Sequence, residues 1–433
     1  MWICENLSVS PEGRLTFAGQ DTVILAEKYG TPLMLLDETR IRQRCRVYLQ
    51  TMREVFGADA LPLYASKALC FKGLYRIMKE EGMGIDLVSS GELYTAVQAG
   101  YPLEFAYFHG NNKTDADIRY AMEEGIGYFI CDNSDELDAV NAEAGRQKIR
   151  QKVLLRLTPG IDPHTHRAIS TGKVDSKFGV AIETGQAKEF VRHALALPHV
   201  QLMGYHCHIG SQIFEYKPFT DAAEIMLRFL AQMKHDFGYE AGELNLGGGM
   251  GVRYIASQPQ IDYAANIAGI GKIMKDLCAK LNVTMPRILM EPGRSIVADS
   301  GLTLYTVGGI KRIPGFKNYV SVDGGMSDNP RYALYQSDYT VVVADRPLAE
   351  ADGRYTVAGR CCESGDLIQE NVLLSSPRKG DRLAVFTTGA YNYSMSSNYN
   401  RIPRPPIVWI AEDGADTLAV RRESFEDMVK NEL

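Results

Sequence analysis

The chain has 433 residues, of which 45% are hydrophobic and 23% are charged, and its formal net charge is −6. This length is too great for one small core, so we expect two domains. The acidic balance argues against non-specific nucleic-acid binding, which requires basic patches to neutralise phosphates. No apolar run is long enough to predict a transmembrane helix, and the first residues do not resemble a signal peptide. We therefore expect a cytoplasmic enzyme whose partners include neither nucleic acid nor membrane.

The eight cysteines are scattered along the chain and form no CxxC pair. Zinc sites commonly use such pairs, so we predict no metal site from the cysteines. Reduced thiols in a large intracellular enzyme fit this pattern better than a disulfide scaffold does.

The chain begins with a short segment that we assign to residues 1–36. It contains one helical run, Thr22–Ala26, and one strand-like run, Pro32–Leu36. We expect this N-terminal segment to pack against a β domain further along the chain.

Residues 37–300 are predicted to form a TIM-like (β/α)8 barrel. Short apolar runs there alternate with longer amphipathic segments, and eight such repeats are typical of this fold. An open, doubly wound sheet is the alternative. The predicted strands are Leu63–Ser66, Ile85–Ser89, Phe105–Phe108, Tyr128–Cys131, Val153–Leu157, Leu202–His206, Glu243–Leu246 and Ile288–Met290.

Residues 301–433 are predicted to form a second, mainly antiparallel β domain, either a sandwich or a barrel. Helical patterns become rare there, and turns separate the apolar runs. The predicted strands are Leu302–Val307, Tyr319–Val322, Tyr339–Ala344 and Leu383–Thr387.

Reactive side chains follow the predicted barrel strands, where the active site of such a barrel lies. Lys67 ends the first strand, and a buried lysine with a lowered pKa is the nucleophile needed to hold an aldehyde cofactor as a Schiff base. The alternative is a lysine that simply reaches solvent. Other polar residues at or near the strand ends are Asp86, His109, Arg156, His206, His208, Ser211 and Glu291.

A phosphate site is predicted at Gly247, Gly248 and Gly249, because a glycine backbone can approach an anion closely. Ser211 and Arg294 are suited to complete it, whereas a flexible turn is the alternative. Glu291 is suited to keep a pyridine nitrogen protonated, or else to pair with Arg294.

The histidines of the sixth predicted strand permit several interpretations. His208 can lie flat against an aromatic ring, or it can be an ordinary core histidine. His206 and His208 share one face of the strand, which also suggests a metal, but no third ligand occurs at strand spacing. We therefore predict no metal.

A second group of functional side chains is predicted in the β domain. Cys362 and Glu363 lie side by side, and a thiol next to an acid can donate a proton. Arg331 and Tyr335 are spaced at i and i+4, and Tyr391 follows a Gly-Ala pair. A turn-rich surface without function is the alternative.

Taken together, these motifs resemble the meso-diaminopimelate decarboxylases, which are pyridoxal 5′-phosphate enzymes of the alanine racemase-like fold. The resemblance covers essentially the whole chain. It implies a carboxy-lyase that converts meso-2,6-diaminopimelate to L-lysine and carbon dioxide in the last step of lysine biosynthesis. The most specific motifs span residues 108–113, 175–179, 206–212 and 394–400.

The resemblance also implies roles for individual residues. Lys67 holds the cofactor, His208 stacks on its ring, and Glu291 pairs with its ring nitrogen. Cys362 is the proton donor and comes from the neighbouring subunit of a head-to-tail homodimer. Further cofactor-binding residues are Asp86, Ser211, Gly247, Gly248, Gly249, Gly293, Arg294 and Tyr391. The substrate-binding residues are Arg294, Arg331, Tyr335, Glu363 and Tyr391.

Three alternatives remain open. A decarboxylase of the same fold that acts on ornithine, lysine, arginine or carboxynorspermidine would lack the need for Arg331, which suits a distal carboxylate. A racemase of this fold usually places arginine at the ring nitrogen, which Glu291 argues against. A non-catalytic regulatory homologue would lose Lys67 or Cys362, and this chain keeps both.

The sequence departs from the family pattern at Arg360, Tyr332 and Ile402, where proline, proline and arginine are common. These departures concern the shape of the substrate pocket. Residues 167–174 are polar and contain glycine, and we predict them to be a lid.

Overall fold

The computed structural model describes residues 2–161 and 176–433, so the predicted lid and Asp175 lie outside the described residues. The chain divides into two compact units. The barrel unit consists of Arg44–Gly251 and Ile261–Gly293, and the β unit consists of Met1–Gln43, Val252–Gln260 and Arg294–Leu433. Within the described residues, no helix combines the length and the apolar character of a membrane span.

The N-terminal elements confirm the predicted helix and strand. Asp21 caps the first helix by accepting from the backbone N–H groups of Val23 and Ile24, which satisfies two of its free donors. The elements are β1 Leu7–Val9, β2 Leu15–Phe17, β3 Gln20–Asp21, α1 Thr22–Tyr29, β4 Leu33–Asp37 and α2 Glu38–Phe56. Strands β1 to β3 form a small antiparallel sheet.

Eight parallel strands close into a ring, which confirms the predicted barrel. Each strand is largely buried, as expected when helices cover the outside of a parallel sheet. The strands are β5 Leu61–Ala65, β6 Gly84–Leu87, β7 Ala106–Phe108, β8 Tyr128–Cys131, β9 Gln151–Thr158, β11 Val200–His206, β12 Glu243–Asn245 and β13 Arg287–Met290. The pairs β13–β5 and β8–β9 complete the ring, and β10 Val180–Ala181 pairs with β9 outside it.

Four of the seven helices that we assign to the barrel unit begin at polar side-chain caps. Ser89, Asn133 and Asp262 each accept a backbone N–H of the first turn, and Thr114 forms a capping box with Asp117. These caps fix where four of the strand-to-helix loops end. The helices are α3 Lys72–Glu81, α4 Ser90–Gln98, α5 Asp115–Glu123, α6 Ser134–Gln147, α7 Gln186–Ala196, α8 Lys217–Phe237 and α9 Tyr263–Leu281.

A satisfied polar cluster lies at the amino end of the barrel. The carboxylate of Glu243 accepts from the hydroxyls of Tyr107 at 3.4 Å and Tyr128 at 3.2 Å, and from Arg287 Nη1 at 3.0 Å. Glu243 and Asn245 are the first and last residues of β12, so they share one face of the strand. Within this face of β12, Glu243 therefore lies toward the amino end of the barrel and Asn245 toward its carboxyl end.

The β unit is built on one large, mainly antiparallel sheet, which confirms the predicted fold class. Its strand order is β18-β17-β15-β14-β4-β20-β21, with β19 pairing with both β14 and β16. The strands are β14 Gly301–Arg312, β15 Asn318–Val322, β16 Val341–Val343, β17 Gly353–Ala358, β18 Leu367–Leu374, β19 Arg382–Phe386, β20 Ile407–Ile410 and β21 Asp416–Val420. Its remaining helices are α10 Arg294–Val297, α11 Arg331–Tyr335 and α12 Phe425–Val429.

The core of the β unit contains residues from both the N-terminal and the C-terminal parts of the chain. Strand β4 pairs with β14 and β20, and its leucines Leu33 and Leu35 are fully buried. Their side chains pack with Leu302, Leu304 and other apolar residues of the same sheet. The segment from Trp2 to Asp37 is thus an integral part of this unit.

Candidate active site

Glu291 is the centre of a buried polar cluster at the carboxyl end of the barrel. It directly follows β13 and is 7% exposed. One carboxylate oxygen accepts from Asn245 Nδ2 at 2.7 Å and lies 2.9 Å from His109 Nε2. The other lies 3.1 Å from His206 Nε2. The three partners end or follow three different strands, so the closed barrel is what brings them together.

This cluster keeps the carboxyl group ionised. Burial alone would raise the pKa of Glu291, but His109 and His206 outweigh burial and hold that pKa well below its usual range. Burial also lowers the pKa of His206 to about 4, so its ring is neutral near neutral pH. The two shifts do not fit a charged imidazolium at His206. We attribute its effect on Glu291 to hydrogen bonding, because a neutral imidazole still donates from Nε2.

The same three side chains also resemble a set of metal ligands. The ligand atoms of His109, His206 and Glu291 lie within 4.8 Å of one another. His206 Nε2 forms a direct hydrogen bond with the carboxylate at 3.1 Å, whereas His109 Nε2 lies 2.9 Å from it without hydrogen-bond geometry. The pair His206 and His208, which the sequence analysis discounted as metal ligands, have different partners. His206 contacts Glu291, whereas His208 Nδ1 accepts the Gly248 N–H at 3.3 Å.

The three-glycine loop is packed too tightly for any other residue. A Cβ at Gly248 would lie 2.1 Å from the carbonyl oxygen of Glu291. A Cβ at Gly247 would lie 2.5 Å from the carbonyl oxygen of Cys207, and one at Gly249 would lie 2.4 Å from that of Gly210. The loop is therefore held against the segments that carry His208, Ser211 and Glu291. This packing does not fit the alternative of a flexible turn.

Lys67 lies on a short 3-10 turn directly after β5. Its neighbours Ser66 and Ala68 are completely buried, whereas Lys67 itself is exposed. The expectation that this lysine is buried was therefore wrong. The turn points the side chain out of the packed strand because both adjacent residues face the interior.

Asp86 and Gly293 occupy positions close to this turn. Asp86 is 2% exposed; burial raises its pKa, while the charges of His109 and Lys67 oppose that shift. A Cβ at Gly293 would lie 2.9 Å from the Cβ of Ala65, so the loop after β13 lies directly against the end of β5. The barrel unit thus brings together the predicted residues Lys67, Asp86, His208, Ser211, Gly247, Gly248, Gly249, Glu291 and Gly293.

The β unit contains a second buried cluster, which combines two arginines with aromatic rings. Arg294 Nη1 donates to the hydroxyl of Tyr254 at 2.7 Å, and its guanidinium carbon lies 4.7 Å from the ring centre of Tyr391. Arg331 donates from Nη1 to the hydroxyl of Tyr339 at 2.9 Å and lies 4.7 Å from the ring centre of Tyr254. The predicted residues Arg294, Arg331 and Tyr391 therefore share one aromatic environment.

Arg331 is a buried cation that forms no ion pair with any carboxylate in the described part of the chain. Its side chain is 5% exposed, and its hydrogen-bond acceptors are the neutral hydroxyls of Tyr339 and Ser337. Among the described residues, no carboxylate pairs with it. Buried charges are normally paired, so this environment favours an anionic ligand.

Cys362 and Glu363, in contrast, are exposed. They lie on a loop that Asp366 anchors by accepting the backbone N–H groups of Cys361 at 2.7 Å and Met326 at 2.6 Å. The Cys362 N–H donates to Asn400 Oδ1 at 2.6 Å, which joins the thiol-bearing loop to the predicted motif at residues 394–400. Tyr335 ends α11 and is half-buried.

The departures from the family pattern are accommodated locally. The hydroxyl of Tyr332 donates to Glu370 on β18 at 2.8 Å, and Ile402 is 7% exposed. The backbone N–H of Arg360 donates to the carbonyl of Gly324 at 2.9 Å.

Sequence reasoning gave no role to three residues of these clusters. His109 was recognised only as a strand-end residue, although its position opposite Glu291 follows from barrel closure. For Asn245, the sequence signal is its spacing of two residues from Glu243 on β12, which places both side chains on the same face of the strand. Tyr254 has no local signal, because its partners Arg294 and Arg331 are distant in the sequence.

Comparisons with known proteins agree with this geometry. A family model described as the pyridoxal-binding domain of pyridoxal-dependent decarboxylases matches residues 38–298, more than half of the chain. Diaminopimelate decarboxylase of Halalkalibacterium halodurans is 46% identical over 428 residues, which cover 98% of this chain and 96% of the relative. That of Bacillus subtilis is 44% identical over 421 residues, which cover 97% of this chain and 95% of the relative.

A solved structure extends the match to three dimensions. The crystal structure of diaminopimelate decarboxylase from M. jannaschii in complex with L-lysine has a TM-score of 0.92 and 32% identity to this chain. The match covers 100% of this chain and 99% of that one. Because the family model, the relatives and the fold agree over nearly the full length, the chain belongs to the diaminopimelate decarboxylases, a group within the pyridoxal-dependent decarboxylases.

Proposed function

We propose that this chain catalyses the pyridoxal-phosphate-dependent decarboxylation of meso-2,6-diaminopimelate to L-lysine and carbon dioxide in lysine biosynthesis. The observation that carries this proposal is the buried, ionised Glu291, held by His109, His206 and Asn245 where the barrel strands end. The relatives named diaminopimelate decarboxylase, and the related structure holding L-lysine, support this choice of substrate.

The residues of the barrel unit fit pyridoxal phosphate chemically. Lys67 supplies an exposed amine for the aldehyde, and Glu291 supplies a carboxylate for the ring nitrogen. Burial holds the pKa of His208 well below its usual range, so its ring is neutral and suited to stack on the pyridine. When bound, the cofactor accepts the electrons left behind as carbon dioxide departs.

We assign the phosphate to the backbone of the three-glycine loop, assisted by Ser211, Gly293, Arg294 and Tyr391. The glycines let this backbone lie directly against the segments that carry His208, Ser211 and Glu291, and the amides of such a loop are suited to bind an anion. Asp86 is assigned to the same cofactor site. In this proposal residues 37–300 serve as the cofactor domain and residues 301–433 contribute the remaining groups.

We assign substrate recognition to Arg294, Arg331, Tyr335, Glu363 and Tyr391. Arg331 suits the distal carboxylate because its buried charge has no carboxylate partner among the described residues. Glu363 is exposed and acidic, which suits the distal amino group. A guanidinium fork binds a carboxylate in two places, which an apolar pocket does not achieve.

We further propose that the active form is a head-to-tail homodimer in the cytoplasm. In this arrangement Cys362 of the neighbouring subunit gives the proton from its Sγ to the α-carbon that has lost carbon dioxide. Its exposed position on a loop anchored by Asp366 supports this role, because such a thiol is accessible and held in place.

The first test is release of carbon dioxide by the purified protein with pyridoxal phosphate. We expect release from meso-diaminopimelate, with L-lysine as product, and none from L-lysine, L-ornithine or L-arginine at equal concentration. Release mainly from one of these three would keep the mechanism but overturn the substrate. Lys67→Ala is the control: it should remove both activity and the cofactor absorbance near ~420 nm.

The shared site is tested by mixing two inactive variants, Lys67→Ala and Cys362→Ala. Cys362→Ala alone should lose turnover by roughly 10²–10⁴-fold, the range for a general acid. Mixed dimers should regain partial activity, since one of the two sites then has both groups. Persistent inactivity after confirmed subunit exchange would overturn the shared site.

A further inference from the structure

Tyr254 lies between the two buried arginines of the β unit and contacts both. Its hydroxyl accepts from Arg294 Nη1 at 2.7 Å. Its ring centre lies 4.7 Å from the guanidinium carbon of Arg331, within cation–π range. One side chain thus holds Arg294 through its polar tip and Arg331 through its aromatic face.

The backbone of Tyr254 is itself fixed within the same unit. Its N–H donates to Gln258 Oε1 at 2.7 Å, and its carbonyl accepts from Thr340 Oγ1 at 2.9 Å. The side chain is 2% exposed, and its ring meets that of Tyr339 edge-on with 5.5 Å between centroids. Because the backbone of Tyr254 is hydrogen-bonded and its ring is packed, the side chain has little freedom to move. Its position therefore defines where each guanidinium lies.

The remaining contacts of Arg331 are neutral. Tyr339 and Ser337 accept two of its five N–H donors, and no described carboxylate competes for the others. The orientation of the Arg331 guanidinium is therefore set by phenol and hydroxyl groups. Because these groups are neutral, they do not compensate its charge, which remains available to an anionic ligand.

From this arrangement we infer that Tyr254 is a positioning residue that orients Arg294 and Arg331 toward two anionic groups, and so determines the preference for a substrate with a second carboxylate. The inference rests on the proposed function, which assigns both arginines to ligand binding. Arg294 can face either the cofactor phosphate or a substrate carboxylate, and both anions use the same guanidinium chemistry.

Two substitutions of Tyr254 distinguish the contribution of its hydroxyl from the contribution of its ring. Tyr254→Phe keeps the ring beside Arg331 but removes the hydroxyl that accepts from Arg294 Nη1. Tyr254→Leu removes both. Tyr355→Phe, at a buried tyrosine of β17, is the matched control and should leave every binding constant at the wild-type value.

The readout is inhibition of the holoenzyme by L-lysine and by cadaverine, combined with titration of pyridoxal phosphate. L-lysine keeps the distal carboxylate and cadaverine lacks it. For Tyr254→Leu we expect the inhibition constant of L-lysine to rise roughly tenfold, while that of cadaverine stays within about twofold. General destabilisation would weaken both inhibitors, so the ratio isolates the positioning role.

For Tyr254→Phe we expect a roughly tenfold loss in one affinity, either for pyridoxal phosphate or for L-lysine. A weaker cofactor identifies phosphate as the anion at Arg294, and weaker L-lysine identifies the carboxylate. Wild-type values for both ligands in this variant would overturn the inference, even if Tyr254→Leu fails to fold. Absence of diaminopimelate turnover in the wild-type protein would instead contradict the proposed function.

Discussion

The two units bury charge in opposite ways. In the barrel unit, the carboxylate of Glu291 is surrounded by His109, His206 and Asn245. In the β unit, the guanidinium of Arg331 is surrounded by neutral phenol and hydroxyl groups, with no described carboxylate beside it. The first charge is satisfied by the protein before any ligand arrives, whereas the second is left for a ligand. The barrel cluster should therefore control the rate of reaction, and the β-unit cluster should control which substrate is accepted.

The strongest test of this contrast is Glu291→Gln. An amide has nearly the same shape but lacks the charge that keeps the ring nitrogen protonated. We expect kcat to fall by roughly 10²–10³-fold, the scale for losing a preorganised electrostatic group, with little change in KM for diaminopimelate.

Glu243→Gln provides a matched control for that substitution. Glu243 is also buried and multiply hydrogen-bonded, but it lies at the amino end of the barrel. We expect a lower melting temperature and an unchanged kcat. Equal loss of kcat in both variants would show that the effect of Glu291 is structural.

Arg331→Met tests the role of the buried charge in the β unit. Methionine keeps much of the side-chain volume and removes the charge. We expect KM for diaminopimelate to rise roughly 10–10²-fold, as for a lost charged hydrogen bond, while kcat changes little. Arg346→Met removes an arginine that pairs with Asp381 in the same unit and should leave KM unchanged. A loss of kcat as large as that of Glu291→Gln would break the division between rate and substrate choice.

The smallest expected effect concerns pH and stability. Burial lowers the pKa of His206 from 6.5 to about 4, so the unfolded chain takes up its proton first as pH falls. Acidification from about pH 6.5 to pH 4 should therefore cost about 3 kcal/mol of folding free energy. Below the usual Glu pKa of 4.5, protonation of Glu291 adds to this loss, because its folded pKa is also depressed.

Thermal unfolding of the holoenzyme across this pH range measures the effect. His206→Gln should flatten the dependence between pH 6.5 and 4, since glutamine donates a hydrogen bond without titrating. His193→Gln, at a histidine paired with Asp138 on the outside of the barrel unit, should retain the wild-type slope. An unchanged slope in His206→Gln would assign the pH dependence to other groups.

Local patterns were sufficient to predict the eight barrel strands and much of the candidate site, because its residues follow strand ends. Lys67 and Glu291 were proposed on this basis, and both directly follow or lie just after a barrel strand. The partners of Glu291 were not predicted, since the closure of the ring decides which strand ends face each other. The exposure of Lys67 was also missed, because a single turn between buried residues reverses the direction of a side chain.

Tyr254 shows a further limit of local patterns. Its role depends on Arg294 and Arg331, and only the folded β unit brings these residues to it. The lone tyrosine in Val252–Gln260 therefore carries no periodicity or motif that predicts its contacts.

The pairing of β4 with β14 has a consequence for synthesis on the ribosome. Leu33 to Leu36 pair with Leu304 to Gly301, which are about 270 residues further along the chain. At ordinary translation rates this strand waits on the order of tens of seconds for its partner. All five of its residues are buried in the finished protein, so the nascent chain meanwhile presents an apolar strand edge. Chaperone supply during translation should thus influence the yield of this protein, and truncation before residue 301 should leave the N-terminal strand prone to aggregation.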